Sequence, residues 1–180
     1  MPESPVLLQA RLFRVTREIL RTDDGREHVR EIVRHPGAVA IVPVLDDGRI
    51  CLIENYRIAV DRTLLELPAG TREPDEPPAR TALRELAEET GYRADSIVEL
   101  ATFLMSPGIL DETMHVYLAT GLTPGAMALE AGEQITVRPV EWDEAMEMIR
   151  DGRIQDAKTV AGLLYYGAFR HREGEAPAEP

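Results

Sequence analysis

Four residues near the middle of the chain carry chemistry by type and spacing: Arg84, Glu85, Glu88 and Glu89. No Gly or Pro interrupts the stretch Ala79 to Thr90, and Gly91 supplies a stop, so the spacing predicts a helix there. On that helix Glu85 and Glu89 stand one turn apart on one face, with Glu88 in the same patch. Carboxylates so crowded repel by a few tenths of a kcal/mol per pair, roughly, in an isolated helix. A positive partner offsets that repulsion. Mg²⁺ suits the task, being hard and accustomed to carboxylates combined with substrate phosphates. Arg84, four residues before Glu88, can hold a carboxylate in its planar fork. Pro68-Ala69-Gly70 can bring backbone carbonyls close, because Gly tolerates unusual dihedrals. Taken alone, Glu88-Glu89 reads as an ordinary solvated helix face.

The elements that must position these groups can be read on either side. Val6 to Val15 and Arg26 to Arg34 read as strands around the turn-like Thr22-Asp23-Asp24-Gly25. Gly37 to Leu45 is a continuous apolar run suited to a strand covered on both faces. Asp46-Asp47-Gly48 then predicts a hairpin into Arg49 to Asn55. Pro68 to Pro78 is a loop rich in Gly, Pro and acids. Beyond the helix, Ile97 to Met105, Thr113 to Thr120 and Gln134 to Val140 read as strands. Helices follow from about Asp143 to Arg150 and from Asp156 to Arg170. The tail from His171 to Pro180 has the composition of a disordered segment.

With 180 residues, the chain has room for one domain with a sizeable core. A net charge of −12 argues against nucleic acid as partner, since phosphate backbones are held by basic clusters. It also poses a problem for a phosphate substrate, which a divalent cation solves. Cys51 is the sole cysteine and sits in the apolar run Ile50-Cys51-Leu52-Ile53, so it reads as a core thiol. The start Met1-Pro2-Glu3-Ser4-Pro5 lacks the features of a signal peptide, and no apolar stretch approaches a membrane span; a cytoplasmic enzyme is expected. The four histidines lack metal-ligand spacing, and Ser106 has no nucleophile-elbow motif around it.

Gly70, Glu76, Arg84-Glu85-Leu86, Glu88-Glu89 and Gly91-Tyr92 together match the pattern G-x5-E-x7-R-E-U-x-E-E-x-G-U, where U is bulky and apolar. The chain therefore resembles the Nudix hydrolases, with Tyr92 in place of the final aliphatic residue. The resemblance implies an α+β fold, the Nudix α/β/α sandwich with a mixed β-sheet and an N-terminal antiparallel strand region. It implies metal-dependent hydrolysis of the pyrophosphate bond of a nucleoside diphosphate derivative. Carried over by position, Glu85, Glu88, Glu89 and the Ala69 carbonyl resemble the metal ligands (Mg²⁺, with Mn²⁺ as the substitute). Arg84 resembles the orienting arginine, and Glu76 a residue supporting it. Glu88 and Arg84 are then catalytic residues.

Features outside this box resemble the ADP-ribose pyrophosphatase branch. Pro107 lies fifteen residues after Tyr92, within Ser106-Pro107-Gly108-Ile109-Leu110-Asp111-Glu112. Pro107, Gly108 and Glu112 thereby become expected substrate-side residues. Asn55-Tyr56-Arg57 followed by Leu64-Leu65-Glu66-Leu67-Pro68-Ala69-Gly70 resembles the segment before the box, with Arg57 as a phosphate contact. Arg34 matches a position that packs on adenine, and Asp156-Ala157-Lys158-Thr159 opens the last helix as in these relatives. Glu133 matches the general-base position best, with Glu130 or a box glutamate as alternatives.

The resemblance implies a small nucleoside diphosphate sugar as substrate and a homodimer. Residues 1–35 would form dimer strands, 36–170 the hydrolase domain and 171–180 the tail. Two other readings stay open: hydrolysis of GDP-mannose or a dinucleotide, and a Nudix ligand sensor without catalysis.

Overall fold

The computed structural model describes residues 4–129 and 131–169. The expected disordered tail and the alternative base Glu130 lie outside the described residues. The strands are β1 (Val6–Gln9), β2 (Arg14–Arg21), β3 (Glu27–Arg34), β4 (Ala38–Pro43), β5 (Ile50–Arg57), β6 (Arg62–Glu66), β7 (Ala69–Thr71), β8 (Tyr92–Leu104), β9 (Thr113–Pro124) and β10 (Ile135–Val140). The helices are α1 (Pro78–Thr90), α2 (Trp142–Arg150) and α3 (Ala157–Phe169).

The run of small and β-branched residues in β4 makes the centre of the molecule, and all six of its residues are buried. Successive side chains on a strand point to opposite faces, and the packing follows that alternation. Val39 and Ile41 meet Ala82 and Leu86 of α1, together with Tyr117 and Ala119 of β9. Ala38, Ala40 and Val42 face the other way, toward Leu52, Val116, Ala145, Met148 and Leu163. Helices therefore cover both faces of the sheet β7-β4-β9-β8, giving the α/β/α layering. The sheet is mixed: β4 runs parallel to β9 and antiparallel to β7.

Three expectations needed correction. The first strand is broken: the chain turns at Ala10–Phe13, with Ala10 N–H donating to Phe13 O at 2.9 Å, and β2 then runs on to Arg21. The turn at Asp46-Asp47-Gly48 exists, with Leu45 N–H donating to Arg49 O at 2.9 Å. Yet β4 and β5 share only the bridge Val44 to Ile50 and pass into different sheets. Both edges of β4 are already taken by β7 and β9, while β5 pairs with β6 and β10. Last, the loop from Pro68 contains β7, a three-residue strand made possible by the free edge of β4.

The N-terminal strands form a separate antiparallel sheet, β1-β2-β3. The loop after β8 docks on its last strand: Val33 N–H donates to Ile109 O at 2.8 Å, and Asp111 N–H to Val33 O at 3.1 Å. Cys51 is fully buried and burial pushes its thiol up to about 12, as befits a core residue.

Candidate active site

The apolar stripe of α1 explains its most unusual residue. Ala82, Leu86, Glu89 and Thr90 lie at helical spacing and all are buried, so the stripe that anchors the helix carries a carboxylate with it. Glu89 is 2% exposed. Its Oε2 accepts the Ala69 N–H at 2.8 Å. Burial drives the Glu89 carboxyl up to about 8, against the Ala69 bond, and the charges of Glu85 and Glu133 add to the rise.

Glu85, one turn earlier, packs against the backbone of Gly70. A Cβ placed on Gly70 would lie 2.0 Å from the Glu85 carboxyl carbon, so only glycine leaves room for that carboxylate. Burial raises Glu85 to about 7, opposed by Arg84, with Glu88 and Glu133 pushing further upward.

Arg84 is the hub of the surrounding charges. Its Nε donates to Glu76 Oε1 at 3.2 Å and its Nη2 to Glu76 Oε2 at 3.1 Å. Nη1 donates to Glu85 Oε1 at 2.8 Å and to Glu88 Oε2 at 3.0 Å. The guanidinium is held above its usual range, chiefly by Glu76, and Glu76 is in turn lowered by Arg84.

A cleft of about 830 Å³ opens beside these groups. Of the residues singled out by sequence, Arg34, Arg57, Ala69, Arg84, Glu85, Glu89 and Glu133 line it. Glu88 lies outside the lining, on the Arg84 side of the helix. Pro107, Gly108 and Glu112 also lie outside it. Glu112 approaches His35 Nδ1 at 3.4 Å, but that nitrogen already accepts the Gly37 N–H at 3.2 Å, so the contact is packing rather than an ion pair. Its neighbour Asp111 reaches the cleft instead, accepting from Arg34 Nη1 at 3.0 Å and from the His35 N–H at 2.8 Å.

Arg34 is further tied to Glu18 Oε1 at 2.7 Å and to Thr16 Oγ1 at 3.2 Å. Hydrogen bonds from Ser4 first, then Arg34 and Thr16, lower Glu18 to about 2. Arg11 and Phe13 of the β1–β2 turn and Arg14, the first residue of β2, complete the wall. They went unnoticed in the sequence because they lie far from the box and belong to no motif.

The donor set fits a hard divalent cation. Two desolvated carboxylates face each other's charge and that of Glu133, and this repulsion is what a bound cation relieves. Among the described residues no three His, Cys, Asp or Glu side chains are grouped so as to hold a metal ion by themselves. One or two carboxylates completed by substrate phosphates is the arrangement Mg²⁺ favours.

Comparison with known proteins agrees with this geometry. The NUDIX domain model matches residues 34–163. The chain is 39% identical over 150 residues to an ADP-ribose pyrophosphatase of Bacillus subtilis (strain 168), covering 82% of this chain and 81% of the relative. It is 38% identical over 161 residues to a methanol dehydrogenase activator of Bacillus methanolicus, covering 88% and 87%. The fold also matches the crystal structure of an ADP compounds hydrolase, with a TM-score of 0.84 at 24% identity over 97% of this chain and 95% of that one.

Proposed function

Because the chain belongs to the Nudix family, we propose that it hydrolyses the pyrophosphate bond of ADP-ribose or a related ADP-sugar, giving AMP and a sugar phosphate. The observation that carries the reading is the pair of carboxylates, buried Glu89 and half-buried Glu85, in the lining of a cleft that also holds several arginines. Glu85, Glu88, Glu89 and the Ala69 carbonyl would hold Mg²⁺, or Mn²⁺ in its place. When bound, the cation supplies charge neutralisation at the diphosphate and Lewis-acid activation of the attacking water.

The protein's own side chains do the rest. Arg57 contacts phosphate with a planar fork matched to two oxygens. Arg34 packs on the adenine, its plane fixed by Glu18 and Asp111. Arg84 holds Glu85 and Glu88 in place. Glu133, in the lining of the cleft, removes the proton from water; a positioned base of this kind is worth ~10² to 10⁴ in rate. The loop with Pro107, Gly108 and Glu112 also carries Asp111, and acts on the substrate side of the cleft through that residue.

The same proposal includes a homodimer formed through residues 1–35, followed by the hydrolase domain. Ile19 and Val29 pair across β2 and β3, and both are exposed, as are Val6, Leu8 and Leu20. Apolar surface on so small a sheet suits a second copy of the chain. A cytoplasmic location is also proposed. Among the described residues no helix is long and apolar enough to cross a membrane.

The test is incubation with ADP-ribose and magnesium, followed by chromatography for AMP and ribose 5-phosphate. ADP-glucose, GDP-mannose and a dinucleotide run in parallel distinguish the sugar. Intact ADP-ribose beside a hydrolysed alternative would reassign the substrate.

A further inference from the structure

Lys158 and Glu66 are 92 residues apart, and both are buried where the first turn of α3 meets the end of β6. Glu66 is 1% exposed, and all of its partners are cationic. Arg57 grips it with two parallel bonds, Nε to Oε1 at 2.8 Å and Nη2 to Oε2 at 2.6 Å. Lys158 Nζ donates to the same Oε2 at 2.5 Å and lies 2.9 Å from Asp156 Oδ2. Asp156 also accepts the Thr159 N–H at 3.0 Å and its hydroxyl at 2.6 Å, capping α3. Helix N-terminal dipoles offset part of such a charge. The chain of contacts thus runs from α3 through Lys158 and Glu66 to an arginine that lines the cleft.

An arginine paired bidentately with one carboxylate presents little net charge to a ligand, because the pair is neutral. Asp156 adds a second negative charge to this cluster, and Lys158 balances it. By sharing Glu66, Lys158 fixes the carboxylate that orients Arg57 and keeps the group of charges behind the guanidinium from turning net negative toward the cleft. We propose that Lys158 is a positioning residue for substrate binding, acting through Glu66 to orient Arg57 and keeping the surrounding cluster from turning net negative toward the diphosphate. This rests on the reading of Arg57 as a phosphate contact.

The same helical turn reaches the other half of the site. Thr159 Oγ1 accepts the Leu67 N–H at 2.8 Å, and Leu67 leads directly into Pro68, Ala69 and Gly70, which cradle Glu89 and Glu85. Neighbouring side chains on α3 thus brace the phosphate arginine and the carboxylate pair separately. That separation makes Lys158 testable apart from the carboxylates.

The experiment measures KM and kcat for ADP-ribose at saturating magnesium with Arg57→Ala, Lys158→Met, Lys158→Arg and the double variant Arg57→Ala/Lys158→Met. Thermal melts run alongside. Lys158→Met should raise KM by about tenfold with a much smaller change in kcat, the pattern of lost binding. Lys158→Arg should restore most of the loss. The double variant should match Arg57→Ala alone, since residues acting through one group are not additive. Lys158→Gln, which keeps a donor for Glu66 and removes only the charge, takes the place of Lys158→Met in the same comparison if the latter does not fold. Multiplying effects in the double variant, or an unchanged KM, would overturn the proposal for Lys158. An unchanged KM in Arg57→Ala would instead overturn the phosphate role of Arg57, and this inference with it.

Discussion

The backbone N–H of Ala69 points at Glu89 Oε2 from 2.8 Å, so a strap of β7 and a helix of the sandwich meet at one carboxylate. Burial and the charges of Glu85 and Glu133 disfavour an ionised Glu89, and the Ala69 N–H and Arg57 offset them only in part. The site is arranged at the expense of the fold's stability, and that tension can be measured.

Glu89→Gln should remove turnover by orders of magnitude, since it deletes a proposed metal ligand. The amide keeps an oxygen for the Ala69 N–H and lacks the desolvated charge, so the metal-free protein should melt at a higher temperature at pH 9 than the parent. Steady-state assay and calorimetry on one preparation check both halves. Undiminished activity would show the metal assignment to be wrong.

The pH dependence of stability has a definite sign. Glu85 and Glu89 hold protons up to about 7 and about 8 in the folded chain, against a reference of 4.5. The folded state keeps protons that the unfolded chain has shed, so stability falls as pH rises from about 4.5 toward 8. Glu18, lowered to about 2, acts oppositely: its contribution is present above 4.5 and is lost as pH falls toward 2. Melting temperatures of chelator-treated protein should therefore decline across pH 5 to 9, and added Mg²⁺ should flatten or reverse the decline. A flat profile without metal would contradict the buried-carboxylate account.

Gly70→Ala is predicted to separate folding from catalysis. The new methyl would sit 2.0 Å from the end of the Glu85 side chain, which can swing away where backbone could not. The melting temperature should change by a few degrees at most, while kcat/KM falls by about a hundredfold, within the range that misplacement of catalytic groups costs. Equal losses of both would mean that the strap itself had collapsed.

Much of this site could be read from the chain because α1 is local. Gly70 through Tyr92 fall within a single strap and helix, where period and spacing place Glu85, Glu89 and Arg84 directly. The division of labour within the glutamates was not readable, because it depends on Gly70 and β7 approaching one side of the helix and Arg84 claiming Glu88 on the other. β7 itself was hidden by its length and its Pro/Gly surroundings; only the open edge of β4 makes it a strand. Asp111, Arg11 and Arg14 reach the cleft through tertiary docking, which leaves no periodic trace. The divergence of β4 and β5 was concealed by a good turn sequence, which specifies the reversal but not the sheets its arms join.

Leu86→Ala should test the anchoring of α1. Leu86 is fully buried against Val39 and Ile41, and such truncations cost about 2–5 kcal/mol. Denaturant unfolding reads the loss, and activity measured well below the new midpoint should persist if the helix keeps its place.

Ile19→Lys is expected to shift the protein from dimer to monomer in light scattering, with the melt of the sandwich little changed. Ile19 is 55% exposed and belongs to the separate N-terminal sheet, so the charge disturbs no core. A protein that is monomeric before the substitution would remove the dimer from the proposal.

The 92-residue span between Glu66 and Lys158 also has a consequence in time. During synthesis Arg57, Glu66 and the whole glutamate box leave the ribosome well before α3 exists. Domains acquire their distant contacts only when the later segment is made, and such non-local closures are slow. Until then Glu66 lacks its ammonium and Leu67 lacks the Thr159 hydroxyl, so a growing chain carries the box without a braced cleft. Hydrolytic competence should therefore arrive late and abruptly, with the emergence of one helical turn.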